Sequence, residues 1–422
     1  MESASLLTQS EWQRALTKNQ ARAAELFGRP EAEQQRLGYF HTLREICQQP
    51  WTWLGTCDRM IASQDGLRKD VAGIRSLALT GSGSSEYAAE CVCLQLQNEL
   101  GICTESISGG AVLMHGGKTL PLGRPGLLVS LARSGDSPES SAAVELLLDT
   151  EPEFRHLVVT CNEHGRLARA WRAHEKVHVI TLPAETQDKS LVMTSSFTNL
   201  LLAARFIGML ERPDEYRKLC ERLGQITEGL IRSSFDVLAK VAATDFRRVV
   251  FLGSGSRFAA SREAALKMLE LTSGRVTTLC ETYLGFRHGP MSYVQDDTLI
   301  VCHLSCDSTI RAYELDLLQE LDRKKLGLSK VIVGENIPDS AVRDGDEVIE
   351  CRGLNELGDE ETATVHVVAA QLLSFFRCLE EGLQPDSPSE GGIINRVVEK
   401  FPLHTPSSRT IGKKLGELEE WV

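Results

Sequence analysis

The chain is predicted to be α/β: two tandem, doubly wound parallel-sheet domains in pseudo-repeat, with a helical N-terminal arm and a C-terminal tail. Three observations predict this. The length of 422 residues exceeds what one compact core usually holds and asks for two. Short, continuously apolar runs alternate with helical patterns, which marks strands buried on both faces. The second half also copies the first: Leu77 returns as Val249, an offset of 172 residues.

In chain order, residues 1–53 form the arm, 54–213 the first domain, 224–384 the second, and 385–422 the tail. Leu77-Ala78-Leu79-Thr80 reads as a first strand that enters a helix through Gly81-Ser82-Gly83-Ser84-Ser85. Val249-Val250-Phe251-Leu252 and Gly253-Ser254-Gly255-Ser256 repeat both. The apolar runs 126–132 and 299–304 are the next strands, followed by Gly135-Asp136-Ser137 and Cys306-Asp307-Ser308. Leu157-Val158-Val159-Thr160 answers to Lys330-Val331-Ile332-Val333, and Val177-His178-Val179-Ile180 to Glu347-Val348-Ile349-Glu350. Each copy closes with a long apolar helix, at 191–210 and 362–379. Sheets of four or five strands follow, and right-handed crossovers bring every strand-to-helix loop to one sheet edge, where small ligands bind.

Composition narrows the function. Hydrophobic content of 42% and charged content of 25% are those of an ordinary globular protein. A net charge of -12 argues against nucleic acid or an anionic membrane as the main partner. Trp12, Arg14, Lys18 and Arg22 in the arm make no helix-turn-helix pattern or basic surplus. No basic segment leads into an apolar core at the N-terminus, and the best membrane candidate, 200–210, is short and carries Arg205. Twelve scattered cysteines without C-x-x-C spacing predict free thiols, no metal site and a cytoplasmic location.

The loops at the strand ends carry the chemistry. Gly81-Ser82-Gly83-Ser84-Ser85-Glu86 lacks the third glycine of a dinucleotide fingerprint, and no acidic residue follows at the required distance. Gly116-Gly117-Lys118-Thr119 is cut off from any helix by Leu120-Pro121, which removes a Walker reading. Arg133-Ser134-Gly135-Asp136-Ser137-Pro138 is the best anion site: a guanidinium, clustered hydroxyls, a turn glycine and a proline at a helix start. The second copy keeps neither that arginine nor that glycine. It supplies instead a helix on which Glu263, Lys267 and Glu270 share one face, then Arg287-His288-Gly289-Pro290. Such a charged face is most often a solvated ion-pair stripe; beside an anion cradle it suits proton transfer on a phosphorylated sugar.

The repeat, the Gly81–Ser85 and Arg133–Ser140 loops and Ala264-Ala265-Leu266-Lys267-Met268-Leu269-Glu270 resemble tandem sugar isomerase (SIS) domain proteins. Pro183-Ala184-Glu185-Thr186, Met193-Thr194-Ser195-Ser196, Gly285-Phe286-Arg287-His288-Gly289-Pro290 and Asn395-Arg396-Val397-Val398 are similar to the branch of bacterial tagatose-6-phosphate ketose/aldose isomerases. That branch is also regarded as galactosamine-6-phosphate deaminase/isomerases. The resemblance covers roughly residues 54–402 and extends to the isomerase half of glucosamine-6-phosphate synthase.

By that resemblance Glu270 is the base that moves a proton between C2 and C1, and Lys267 its neighbour on the catalytic helix. His288 is a histidine that assists ring opening from an adjacent subunit, so the active unit is a homodimer or larger with a shared site. Ser85, Ser134 and Ser137 fall on phosphate-contacting hydroxyls; Ser84, Arg133, Asp136, Ser195 and Ser196 join them as substrate-binding candidates. Arg133 replaces the synthase's glutamine, and its C-terminal lysine has no clear counterpart in Gly412-Lys413-Lys414 or beyond. No glutaminase domain or N-terminal cysteine is present, so ammonia is expected to leave rather than arrive. The expected reaction is galactosamine 6-phosphate to tagatose 6-phosphate plus ammonia, without cofactor or metal. The rivals are isomerisation of tagatose 6-phosphate without an amine and a non-catalytic sugar-phosphate sensor.

Overall fold

A computed structural model describes residues 6–399 and 401–404. Gly412-Lys413-Lys414, where the synthase's lysine is expected to have no clear counterpart, lies outside the described residues. Six helices precede the first strand among the described residues: α1 (Gln9–Asn19), α2 (Ala21–Gly28), α3 (Glu31–Arg36), α4 (Phe40–Cys47), α5 (Gln49–Ala62) and α6 (Gln64–Val71). The first domain follows as β1 (Ser76–Gly81), α7 (Ser84–Leu100), β2 (Cys103–Ser108), α8 (Gly109–His115), β3 (Gly126–Ala132) and α9 (Pro138–Thr150). It continues through β4 (Phe154–Thr160), α10 (Arg166–Trp171), β5 (Val177–Thr181) and α11 (Ser195–Arg205). The long α12 (Pro213–Ala242) leads to β6 (Arg248–Leu252), α13 (Ser256–Leu271), β7 (Thr277–Glu281), α14 (Tyr283–Phe286) and β8 (Thr298–His303). The second domain ends with α15 (Ser308–Arg323), β9 (Ser329–Gly334), β10 (Glu347–Glu350) and α16 (Ala363–Glu380).

Each domain holds one five-stranded parallel sheet, ordered β2-β1-β3-β4-β5 and β10-β9-β8-β6-β7, so the two have the same topology. Strands β1, β3 and β8 are buried along their whole length, which is why they read as unbroken apolar runs. The strand order turns back between β1 and β3, and again between β6 and β8, leaving a crevice at the carboxyl ends of each pair. Two boundaries differ from the sequence reading. α5 runs through residues 53 and 54, and α12 runs through 224, because both are continuous packed helices rather than linkers.

The domains meet through helices. α13 packs against α7 and α16, and α11 and α16 are buried on all sides. The nearly buried Arg205 of α11 pairs with Glu99 of α7 at 2.7 Å and with Glu361, just before α16, at 2.8 Å. Among the described residues one helical stretch, Asp359–Glu380, made of α16 and the turn before it, has the length and apolarity of a membrane span, and it is almost wholly buried inside the fold. The sequence reading had placed the best candidate at 200–210.

Candidate active site

At the β1/β3 crevice the chain encloses a cavity of about 660 Å³, within the size range of small-molecule sites. Ser82, Ser84 and Ser85 reach it from the turn after β1, and Arg133, Ser134 and Ser137 from the loop after β3. Lys267 and Glu270 enter from α13 of the other domain, and residues 392–399 close a further side. Hydroxyls from the first copy and a carboxylate and an amine from the second therefore line one cavity, and His288 does not.

The loop after β3 combines a tight turn with two hydroxyls at a helix start. Gly135 takes a left-handed φ of 66°, and a Cβ there would crowd the Leu167 side chain at 3.2 Å. Ser137 stands at the N-cap position of α9 but its hydroxyl makes no capping bond. Ser134 Oγ accepts only from the Asp136 amide within the loop, at 3.2 Å. Both hydroxyls sit beside a helix N-terminus, where the backbone favours negative charge.

The second copy's loop forms a cradle around a carboxylate of its own chain. There Asp359 Oδ1 accepts from Ser305 Oγ at 2.7 Å, from the Cys306 amide at 2.7 Å and from the Asp307 amide at 3.4 Å. Arg257, fully buried, adds its guanidinium at 2.6 Å. One carboxylate oxygen therefore takes hydroxyl, amide and guanidinium donors together, as a phosphate oxygen would. Ser305 corresponds to Ser134 of the first copy and Asp359 to Asp188. In the first copy, however, Asp188 turns away and caps α11 through the amides of Thr194, Ser195 and Ser196 at 2.8, 3.0 and 2.9 Å. Its absence from the loop leaves the first cradle open to the cavity. The loop Ser305–Ser308 has no arginine of its own, as the sequence indicates, and Arg257 reaches it from α13.

On α13 a single amine joins two carboxylates. Lys267 Nζ lies 3.4 Å from Glu263 and in direct contact with Glu270 Oε2. Burial lowers the lysine's affinity for its proton, but the adjacent Glu263 and Glu270 outweigh that and raise its pKa. Glu263 is fully buried, and burial pushes its carboxyl up to about 8 against the opposing pull of Lys267. Of the two carboxylates, Glu270 is the one that opens into the cavity, beside Lys267.

Four of the candidate residues stand outside it. Ser195 and Ser196 are wholly buried, Ser195 Oγ near Thr52 and Asn199 and Ser196 Oγ against Asp188, so their hydroxyls serve the start of α11. Asp136 is exposed and accepts from the Arg166 amide at 2.9 Å. His288 lies after α14, is exposed, and does not line the cavity of its own chain. Arg133 does line it, but its donors go largely to carbonyls: Leu191 at 2.8 Å, Ser190 at 3.5 Å and Arg396. It fastens the walls at least as much as it offers charge.

The sequence reading gave no site role to Leu191, Met193, Asn395 or Arg396, all of which line the cavity. The available signal was the loop Gly391-Gly392 followed by Ile393-Ile394-Asn395-Arg396, an apolar segment after a polar linker. Among the described residues no group of three or more His, Cys, Asp or Glu side chains is arranged to hold a metal ion.

No family model matches the chain. A protein of Streptomyces coelicolor, provisionally named D-galactosamine-6-phosphate deaminase AgaS, is 36% identical over 373 residues, covering 86% of this chain and 95% of its own length. The D-galactosamine-6-phosphate deaminase AgaS of Shewanella sp. (strain ANA-3) is 33% identical over 374 residues, covering 86% and 91%. A solved structure from Clostridium novyi NT, provisionally described as a tagatose-6-phosphate ketose/aldose isomerase, superposes with a TM-score of 0.84 at 32% identity, covering 90% of this chain and 99% of that one. The likeness spans nine-tenths of the chain in structure, and the chain belongs to the AgaS family of tandem sugar isomerase domain proteins.

Proposed function

We propose that the chain is an aldose–ketose isomerase and deaminase acting on an amino sugar 6-phosphate, with galactosamine 6-phosphate as substrate and tagatose 6-phosphate and ammonia as products. The observation that carries this is the placement of Glu270 and Lys267 across one cavity from an open hydroxyl and amide cradle. The names of the AgaS relatives support the same substrate. With the phosphate held by Ser134, Ser137 and loop amides, C1 and C2 of the open-chain sugar lie toward α13. Glu270 takes the proton from C2 and returns it to C1, the C1 carbonyl becoming a hydroxyl as C2 becomes an imine. Water adds to the imine and ammonia leaves. Lys267 stabilises the negative charge that develops on the enol oxygen. Phosphate binding far from the reacting carbons supplies orientation. Incubation with galactosamine 6-phosphate in heavy water tests the reading: ammonia and deuterium at C1 should appear together. Deuterium without ammonia would reduce it to an isomerase, and neither would sink it.

Two narrower expectations belong to this reading. Replacing Ser134 and Ser137 together by Ala should raise KM at least tenfold while kcat changes by less than about threefold, since the lost contacts are far from C1 and C2. Steady-state kinetics on a variant with native circular dichroism checks it, and an unchanged KM would move the phosphate elsewhere. His288 is exposed and away from its own cavity, with the apolar Leu284 exposed on the preceding turn, which supports a site completed by a second copy. Mixing Glu270→Gln with His288→Ala chains should then restore up to about a quarter of native activity in exchanged dimers, the share expected for one intact site in statistical mixing. A fully active monomer by light scattering removes the shared site.

A further inference from the structure

The cavity wall formed by the loop 188–191 has an unusual property: its main-chain groups are committed to partners drawn from four different parts of the chain. The Asp188 carbonyl accepts from Arg396 Nε of the tail at 3.0 Å. The Leu191 and Ser190 carbonyls accept from Arg133 Nη1. The Leu191 amide donates to the Asp386 carbonyl at 3.0 Å. The Lys189 and Ser190 amides both donate to Glu45, a buried carboxyl on α4 of the N-terminal arm, against which Ser190 Oγ also lies. α4 grips the tail as well, because its first amides, His41 and Thr42, donate to the Asp386 carboxylate at 3.1 and 2.7 Å.

We propose that Glu45 is a positioning residue for substrate binding: through the Lys189 and Ser190 amides it holds the loop whose carbonyls orient Arg133 and whose Leu191 side chain walls the cavity. Glu45 touches nothing in the cavity. It acts through Arg133, whose guanidinium is fixed by three carbonyls, one of them belonging to the tail residue Arg396. Removing the carboxyl leaves the buried Ser190 amide without an acceptor and takes the partner of the Lys189 amide at the exposed end of the loop, so the loop shifts to find others. A shift of about 1 Å at such a wall is enough to cost on the order of tenfold to a hundredfold in productive binding. The inference rests on the reading of this cavity as a sugar-phosphate site.

The form of the carboxyl sharpens the test. Burial, and next the Asp188 charge, push it up to about 8. Ser190 Oγ donates to Glu45 Oε2 and lies 3.3 Å from the Val192 carbonyl, to which its proton can turn when the group opposite is itself a donor. A glutamine can copy this, accepting through its oxygen and donating through its amide. Glu45→Ala should therefore raise the KM for galactosamine 6-phosphate about tenfold or more with kcat within about threefold, and Glu45→Gln should stay within about twofold of native in both. A lowered Tm with native KM in Glu45→Ala, or a Glu45→Gln variant as impaired as the alanine, would overturn the proposal. Should Glu45→Ala not fold, Ser190→Ala keeps the carboxyl and loses one contact; its KM should rise about threefold, and a native KM overturns the proposal. If calorimetry shows that the native chain does not bind galactosamine 6-phosphate, the proposed function falls. The positioning role is then read from hydrogen exchange, which in Glu45→Ala should quicken at residues 189–191 and 392–399; native exchange there overturns it.

Discussion

Glu270→Gln should lower kcat for deamination by about a thousandfold or more while leaving KM and the fold close to native. Glutamine nearly matches glutamate in shape but cannot accept the C2 proton, and Glu270 is the carboxylate of the α13 trio that opens into the cavity. Its contact with Lys267 can be kept by the amide oxygen, so the buried amine is not stranded. Deuterium incorporation from heavy water should vanish in parallel with ammonia release. Glu263→Gln is the matched control. Burial pushes that carboxyl up to about 8, so near pH 7 it is already largely neutral, and a neutral amide should cost less than about tenfold. If Glu263→Gln abolished turnover while Glu270→Gln kept it, the roles of the two carboxylates would be exchanged. If neither mattered, proton transfer from α13 would have to be abandoned.

Much of this arrangement could be read from residues alone, and what was hidden has physical causes. The strands that carry the cradles, β1 and β3, are buried on both faces, so their apolar runs were plain. β2 and β7 passed unnoticed because they are edge strands, partly exposed and rich in Thr, Ser and Glu, with no apolar signature. Helical spacing put Glu263, Lys267 and Glu270 on one face, yet could not say which carboxylate meets the cavity; burial separates them. Ser195 and Ser196 lie in a motif-like string, but hydroxyls at a helix start serve caps as readily as ligands, and Asp188 claims them. Glu45 was invisible for another reason: its partners lie 144 and 145 residues away and are backbone amides, which no side-chain pattern announces.

Asp359→Ala should destabilise the chain by about 3–5 kcal/mol, and an oxyanion should win part of that back. Arg257 is fully buried, and without Asp359 its nearest carboxylate oxygen is that of Glu314 at 3.5 Å. Ser305 Oγ and the Cys306 amide lose their acceptor in the same stroke. What remains is an empty cradle of hydroxyl, amides and guanidinium, the same set of donor types that the first copy presents to its cavity with Ser134, Gly135 and Arg133. Inorganic phosphate or sulfate should therefore stabilise Asp359→Ala more than it stabilises the native chain, and chloride at equal ionic strength should not. At a hundred times its dissociation constant such an anion would contribute about 2.7 kcal/mol. Thermal melts of both proteins across a phosphate series decide it. Near-native stability of the variant without added anion would show that the Arg257–Asp359 pair contributes little. Equal response of the two proteins to phosphate would show that the second cradle does not recognise oxyanions, and would withdraw its support for phosphate binding at Ser134.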